Sequence, residues 1–454
     1  MTRNDRYLSP DDLRAAIDDG LVDTVIVAFT DMQGRLQGKR MHGRYFLDVV
    51  ADHGTEGCNY LLGVDVEMNT VDGYAITSWD RGYGDMEFVL DNDTIRLLTH
   101  LPSTALVQCD LVWPDHSPVI QSPRAILKAQ LERASDLGFT ALAGTELEFI
   151  LFEDTYEAAA DRNYQGLTPA NQYNLDYSIL GGTRVEAVIR DIRNHMFAAG
   201  MNTEASKGEC NPGQHEIGFL YDEALVTADN HAVYKTAAKE IAAQHGKALT
   251  FMAKYNEREG NSCHIHLSLR GTDGSIVFWD EATGGRTPLY DSFVAGVLDT
   301  MADLTLMYAP NINSYKRFAD GSFAPTAIAW GEDNRTCAVR LVGRGAGARM
   351  ENRVPGGDVN PYLAVAAMLA GGLHGVEKGL PLEPPLEGNA YTSGRPKVPA
   401  TLLAAREVFA ASEVARAAFG DDVVDHYTNM ADVELAAFDS AVTDWERRRS
   451  FERM

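Results

Sequence analysis

Residues 145–150 read Thr-Glu-Leu-Glu-Phe-Ile, with charged and apolar side chains alternating. A β-strand sends successive side chains to opposite faces, so Glu146 and Glu148 share one face while Leu147 and Phe149 share the other. The same alternation recurs in Cys263-His264-Ile265-His266-Leu267-Ser268 and in Arg349-Met350-Glu351-Asn352-Arg353. A fourth segment, SKGECNPGQHEIGF, places Glu209 and Glu216 seven residues apart about Asn211-Pro212-Gly213, a turn that folds the chain back on itself. These segments need a sheet with one apolar face and one densely charged face. Two like charges side by side on such a face are costly unless a cation lies between them.

The remaining sequence supplies helices to cover the apolar face. Ser9-Pro10 caps a helix ending at Gly20, and Ser122-Pro123 caps a second with Ile126, Leu127, Leu131, Ala134 and Leu137 at helical spacing. Further helices are predicted over about 184–199, 228–245, 288–307, 360–377, 401–412 and 431–448. Strands are expected around the DMQG turn at 31–34 and near 59–66, 86–90, 94–98, 105–112, 202–206, 215–220, 262–270, 336–342 and 349–353, with a long one across FTALAGTELEFILF. Three prolines in WPDHSPVIQSP mark a boundary. The expected architecture is α+β, with a small unit at 1–112 and a large one at 113–454.

The chain has 454 residues and a formal charge of −25. That length allows two or three domains at roughly 100 to 200 residues each. Nucleic acid and anionic membranes are bound mainly through Lys and Arg, so neither is an expected partner. The longest apolar run, residues 363–373, is far short of the ~20 residues that span a bilayer, and the N-terminal residues show no apolar leader core. The five scattered cysteines form no CxxC and indicate neither a disulfide framework nor a structural zinc site. A reducing cytoplasm is the expected location.

No GxxxxGK[ST], GxGxxG, GxSxG or HExxH occurs. The chemistry is therefore sought in the charged face. Taken singly, Glu146 and Glu148 could be a solvated edge, His264 and His266 structural histidines, and Glu351 a partner of Arg349 or Arg353. Together, five carboxylates and a histidine without sulfur suit Mg²⁺ or Mn²⁺, and two clusters of three suit two-metal phosphoryl transfer. Arg317, Arg335, Arg340, Arg344, Arg349 and Arg353 cluster between and around these segments. Guanidinium groups clamp phosphate and carboxylate bidentately.

The ordered series GTELEF, KGECNPGQHE, GNSCHIH, NSYKRF, NRTCAVR and RMENRVPGGDVNPYL resembles the type I glutamine synthetase superfamily over about residues 110–454. The resemblance implies a β-grasp N-terminal domain and a catalytic domain with a curved antiparallel sheet. It also implies that ATP phosphorylates the γ-carboxylate of glutamate and that an amine displaces the phosphate to give an amide. It assigns Glu148, Glu209 and Glu216 to one divalent ion, and Glu146, His264 and Glu351 to a second. Arg335 and Arg340 fall on the phosphate side, with Arg335 beside the transferring group. Arg317, Arg353 and the Gly260 backbone fall on glutamate, and His266 and Ser268 on the nucleotide. The implied assembly is a dodecamer of two stacked hexameric rings.

Three positions depart from the family pattern. Phe323 stands where ammonia-using members carry a flap glutamate, and the region GTEGCNYLLG lacks their DGSS loop with its aspartate. Glu259 replaces the asparagine that normally precedes the equivalent of Gly260. Loss of two anionic groups from an ammonium pocket leaves poor discrimination for a small cation. The pattern resembles the γ-glutamyl amine ligases, with a small monoamine such as ethanolamine favoured over putrescine or spermidine. True glutamine synthetase and a catalytically inactive homologue are the further alternatives. Asp320, Glu332 and Asp333 lie close enough in sequence to substitute for the missing flap carboxylate. Tyr391 falls near a tyrosine adenylylated in some members, but its surroundings differ and no such regulation is expected.

Overall fold

The computed structural model describes residues 7–454. Part of the N-terminal stretch expected to lack a leader, residues 1–6, lies outside the described residues. After the Ser9-capped helix Pro10–Asp18, six strands form the first sheet: β1 (Thr24–Thr30), β2 (Leu36–His42), β3 (Thr55–Cys58), β4 (Asp85–Leu90), β5 (Arg96–Leu97) and β6 (Thr104–Val112). Their order is β2-β1-β6-β4-β3, with β5 also on β6, and only β1 and β6 run parallel.

The second sheet has nine strands: β7 (Phe139–Phe152), β8 (Thr203–Gly208), β9 (Gln214–Phe219), β10 (Asp222–Glu223), β11 (Ala248–Thr250), β12 (Cys263–Gly271) and, beyond a two-stranded ribbon of β13 (Trp279–Asp280) and β14 (Gly285–Arg286), β15 (Trp330–Glu332), β16 (Val339–Val342) and β17 (Arg349–Asn352). The order is β15-β16-β17-β12-β7-β9-β8, with β10 and β11 on β7. The structure is α+β, as expected.

Helices Pro123–Asp136 and Ala224–Gln244 pack on β7, and helix Pro361–Lys378 packs against both. The last is apolar on nearly every side and almost wholly buried, the pattern of a central helix. It meets helix Pro288–Asp299 at backbone contact, where a Cβ on Gly296 would lie 2.2 Å from the Gly371 carbonyl oxygen. One apolar core runs through both sheets. Polar ties cross between them as well: Arg124 donates to Asp229 at 3.0 Å and to Asp91 and Asp110 at 2.6 Å, while Asn360 donates to the Asp31 and Met32 carbonyls. We propose that the small and large units divide at 112/113.

Three expected elements differ. The strand expected near 59–66 is a 3₁₀ turn, Asn59–Leu62, because Asn59 turns its side chain onto Ile76 and Thr77 and folds the segment on itself. The helix expected to reach 307 stops at Asp299, where the Thr300 hydroxyl bonds back to the Gly296 carbonyl, and a separate turn, Thr305–Tyr308, follows. The last long helix runs Asp421–Ser440 and is succeeded by Asp444–Ser450, which Thr443 and Glu446 start with a reciprocal capping box.

Candidate active site

The charged face of the second sheet is a matter of register. Glu148 pairs with Glu216 across β7 and β9, Glu146 with His264 across β7 and β12, His266 with Glu351 across β12 and β17, and Glu351 with Arg340 across β17 and β16. The Asn211-Pro212-Gly213 turn folds β8 onto β9, with Gly213 at φ 77°, and brings Glu209 beside Glu216. A cavity of about 1450 Å³ opens over this face.

Two groups of ligand atoms converge. Oxygens of Glu148, Glu209 and Glu216 lie within 4.8 Å of one another. Burial first, then the neighbouring carboxylates Glu146 and Glu148, push the Glu216 carboxyl up to about 8. Lys207 partly offsets this, bonding Glu209 and approaching Glu216 at 4.0 Å. Glu148 is fixed by Ser262 N–H at 2.7 Å and Gln214 Nε2 at 2.9 Å. Three carboxylates with one lysine among them are what a divalent cation would neutralise, and the donor set fits Mg²⁺ or Mn²⁺.

In the second group, Glu146, His266 and Glu351 offer atoms within 4.8 Å of one another. His264 adjoins the same carboxylates, its Nδ1 3.4 Å from Glu146 and 3.5 Å from Glu351. Burial, then the charge of Arg353, lowers the His264 pKa, which suits a neutral ligand. Burial alone would raise the Glu146 carboxyl, but hydrogen bonds with His264 and His266 outweigh it and hold it far below the usual range. Glu351 is completely buried, yet Arg340 donates to it at 2.8 Å and Arg353 also donates to it.

Of the remaining predicted residues, Arg335, Arg340, Arg353, Ser268, Gly260, Glu259 and Phe323 line the cavity. Ser268 donates to the Ala348 carbonyl at 3.0 Å, and His266 accepts from Arg349 at 3.2 Å. Gly260 has no room for a side chain, since a Cβ would lie 2.2 Å from the Ala253 carbonyl oxygen. Phe323 is 56% exposed with φ 55°. Arg317 does not line the cavity. Its guanidinium is buried and donates to the carbonyls of Val354 and Arg353 and to the Ser262 hydroxyl at 2.8–3.2 Å, so it buttresses the wall that carries Arg353. Sequence reasoning missed Lys207 and Gln214, although each stands two residues before a glutamate already singled out. The two-residue strand period was the available signal.

The profile described as glutamine synthetase, catalytic domain, matches residues 120–450, and the chain belongs to that family. It is a glutamine synthetase-like ligase. Among curated relatives, the γ-glutamylethanolamide synthetase GlnA4 of Streptomyces coelicolor is 62% identical over 98% of this chain and 96% of its own. The glutamate–isopropylamine ligase of a Pseudomonas species is 38% identical over 94% and 95%. A solved GmaS/ADP complex superposes with a TM-score of 0.85 at 28% identity, covering 97% of this chain and 99% of that one. Among the described residues no helix is long and apolar enough to cross a membrane.

Proposed function

We infer that this chain is an ATP-dependent ligase that joins the γ-carboxylate of glutamate to a small primary amine, with ethanolamine as the favoured amine. The observation that carries the amine reading is Phe323, which stands at the cavity where ammonia-using members place a carboxylate. The 62% identity to a γ-glutamylethanolamide synthetase supports ethanolamine, and the isopropylamine ligase supports acceptance of an N-substituent.

ATP and glutamate meet over the charged face. The γ-carboxylate oxygen attacks the terminal phosphorus, the bond to ADP breaks, and γ-glutamyl phosphate forms. Arg335 and Arg340 neutralise charge on the transferring phosphoryl group. Glu148, Glu209 and Glu216 would hold one divalent ion, and Glu146, Glu351 and the paired histidines a second. Such ions supply charge neutralisation and alignment of the phosphate oxygens. Arg353 and the Gly260 backbone, both lining the cavity, orient glutamate, with Arg317 bracing the carbonyl of Arg353. The neutral amine then attacks the acyl carbon, phosphate leaves with the bonding pair, and the amide forms as the amine nitrogen gives up a proton. Phe323 offers the amine's substituent an apolar contact in place of a carboxylate that would favour ammonium.

The assembly proposed is a dodecamer of two hexameric rings, with divalent metal and ATP bound by each subunit. Phosphate release with glutamate and ATP, compared across amines, tests the substrate assignment. The alternative of γ-glutamylpolyamine synthesis predicts putrescine or spermidine as the best substrate.

A further inference from the structure

Both oxygens of Glu351 are capped by guanidinium groups, Oε2 by Arg340 and Oε1 by Arg353. Any cation gripped by Glu351 must compete with them. The outer end of Arg340 is held elsewhere. Asp333 Oδ1 accepts from its Nε at 2.9 Å and also from its Nη2, and Arg335 Nη1 lies 4.0 Å from the same oxygen. One carboxylate oxygen therefore gathers two of the arginines that line the cavity. Arg335 also lines an adjoining cavity of about 610 Å³.

The local backbone is built around this contact. Asp333 sits at φ 50°, where L side chains seldom lie, and its N–H bonds the Leu341 carbonyl at 3.0 Å. Asn334 beside it is locked onto the carbonyls of Leu386 and Gly388. An exposed ion pair adds little stability. A left-handed aspartate clasping an arginine that reaches a buried carboxylate is better explained by the site than by the fold.

We propose that Asp333 is a positioning residue for the phosphate-side arginines. It anchors Arg340 through Nε and Nη2, so that Nη1 can leave Glu351 when that carboxylate takes a cation, and it keeps Arg335 beside Arg340. Without the anchor Arg340 is free to grip both oxygens of Glu351, and the two like-charged guanidiniums lose the anion between them. The proposal rests on the ligase reading only for the identity of the phosphate ligand.

The test uses the full-length Asp333→Asn and Asp333→Glu variants. Mn²⁺ is titrated calorimetrically into each in the absence of nucleotide, and the KM for ATP is measured at saturating Mg²⁺. Asp333→Asn is expected to weaken one Mn²⁺ site and raise the KM for ATP, each about tenfold, the scale of one charge-assisted contact. The KM for the amine and the thermal midpoint stay unchanged, and Asp333→Glu restores both values to within about twofold of wild type, as expected if charge rather than shape is required. Wild-type Mn²⁺ affinity and KM in Asp333→Asn, or equal impairment in Asp333→Glu, overturns the proposal. If no amine supports turnover in the wild type, the ligase reading fails, while the Mn²⁺ titration still decides the role of Asp333.

Discussion

Glu148 and Glu216 stand directly opposite one another on adjacent antiparallel strands, with Glu209 within 4.8 Å of both. Burial, then the charges of Glu146 and Glu148, hold Glu216 protonated up to about pH 8. The folded chain without metal therefore keeps a proton between about pH 4.5 and 8 that the unfolded chain has lost. The stability that Glu216 contributes falls as pH rises through that window. In EDTA the melting point of the wild type, taken relative to that of Glu216→Gln, should fall from pH 5 to 8, and Mg²⁺ or Mn²⁺ should reverse the fall. A metal-free wild-type melting point that does not fall from pH 5 to 8 relative to Glu216→Gln contradicts this.

Cation binding should expel that proton. Calorimetric Mn²⁺ titrations at pH 7 in buffers of differing ionisation enthalpy should report about one proton released for the Glu148, Glu209 and Glu216 site. Glu216→Gln should abolish the release and weaken that site. Buffer-independent heats in the wild type would remove the metal assignment.

Glu351 is buried against Arg340 and Arg353, so deleting its side chain would leave uncompensated cations. Glu351→Gln preserves the shape and is the better probe. Turnover should fall at least ~100-fold, the scale of losing one preorganised electrostatic contact, while the oligomer persists. Near wild-type turnover contradicts the site.

Arg335 and Arg317 should separate cleanly. The Arg335 side chain is 54% exposed, so Arg335→Ala should leave the melting point unchanged and lower kcat about 100-fold or more. Arg317→Ala strips hydrogen bonds from the Val354 and Arg353 carbonyls and Ser262, and should cost about 3 kcal/mol of stability. A stable Arg317→Ala enzyme with altered KM for glutamate alone would return Arg317 to direct substrate contact.

Much of the site was legible because strand periodicity is rigid. Once residues 146–148, 264–266 and 349–353 were read as alternating strands, the face shared by Glu146, Glu148, His264, His266 and Glu351 followed. The turn at Asn211-Pro212-Gly213 likewise foretold the approach of Glu209 to Glu216. The backbone partners of Arg317 were not legible, because a guanidinium that donates to carbonyls leaves no trace in side-chain spacing. The 59–66 strand and the long helix ending in 448 failed on local chemistry, where Asn59 and Thr443 bond to nearby chain and redirect the backbone. The contact of Asp333 with Arg340 was not legible, since it depends on a left-handed turn between two short strands.

We propose that the pocket beside Phe323 accepts an alkylamine in preference to ammonium. Phe323→Glu should raise kcat/KM for ammonium about tenfold, the scale of one restored charge-assisted contact. The most direct measurement is phosphate release by the wild type with glutamate and ATP, comparing ethanolamine, ammonium and putrescine. Ethanolamine should give the highest kcat/KM. Ammonium activity equal to or above that with ethanolamine would contradict the claim.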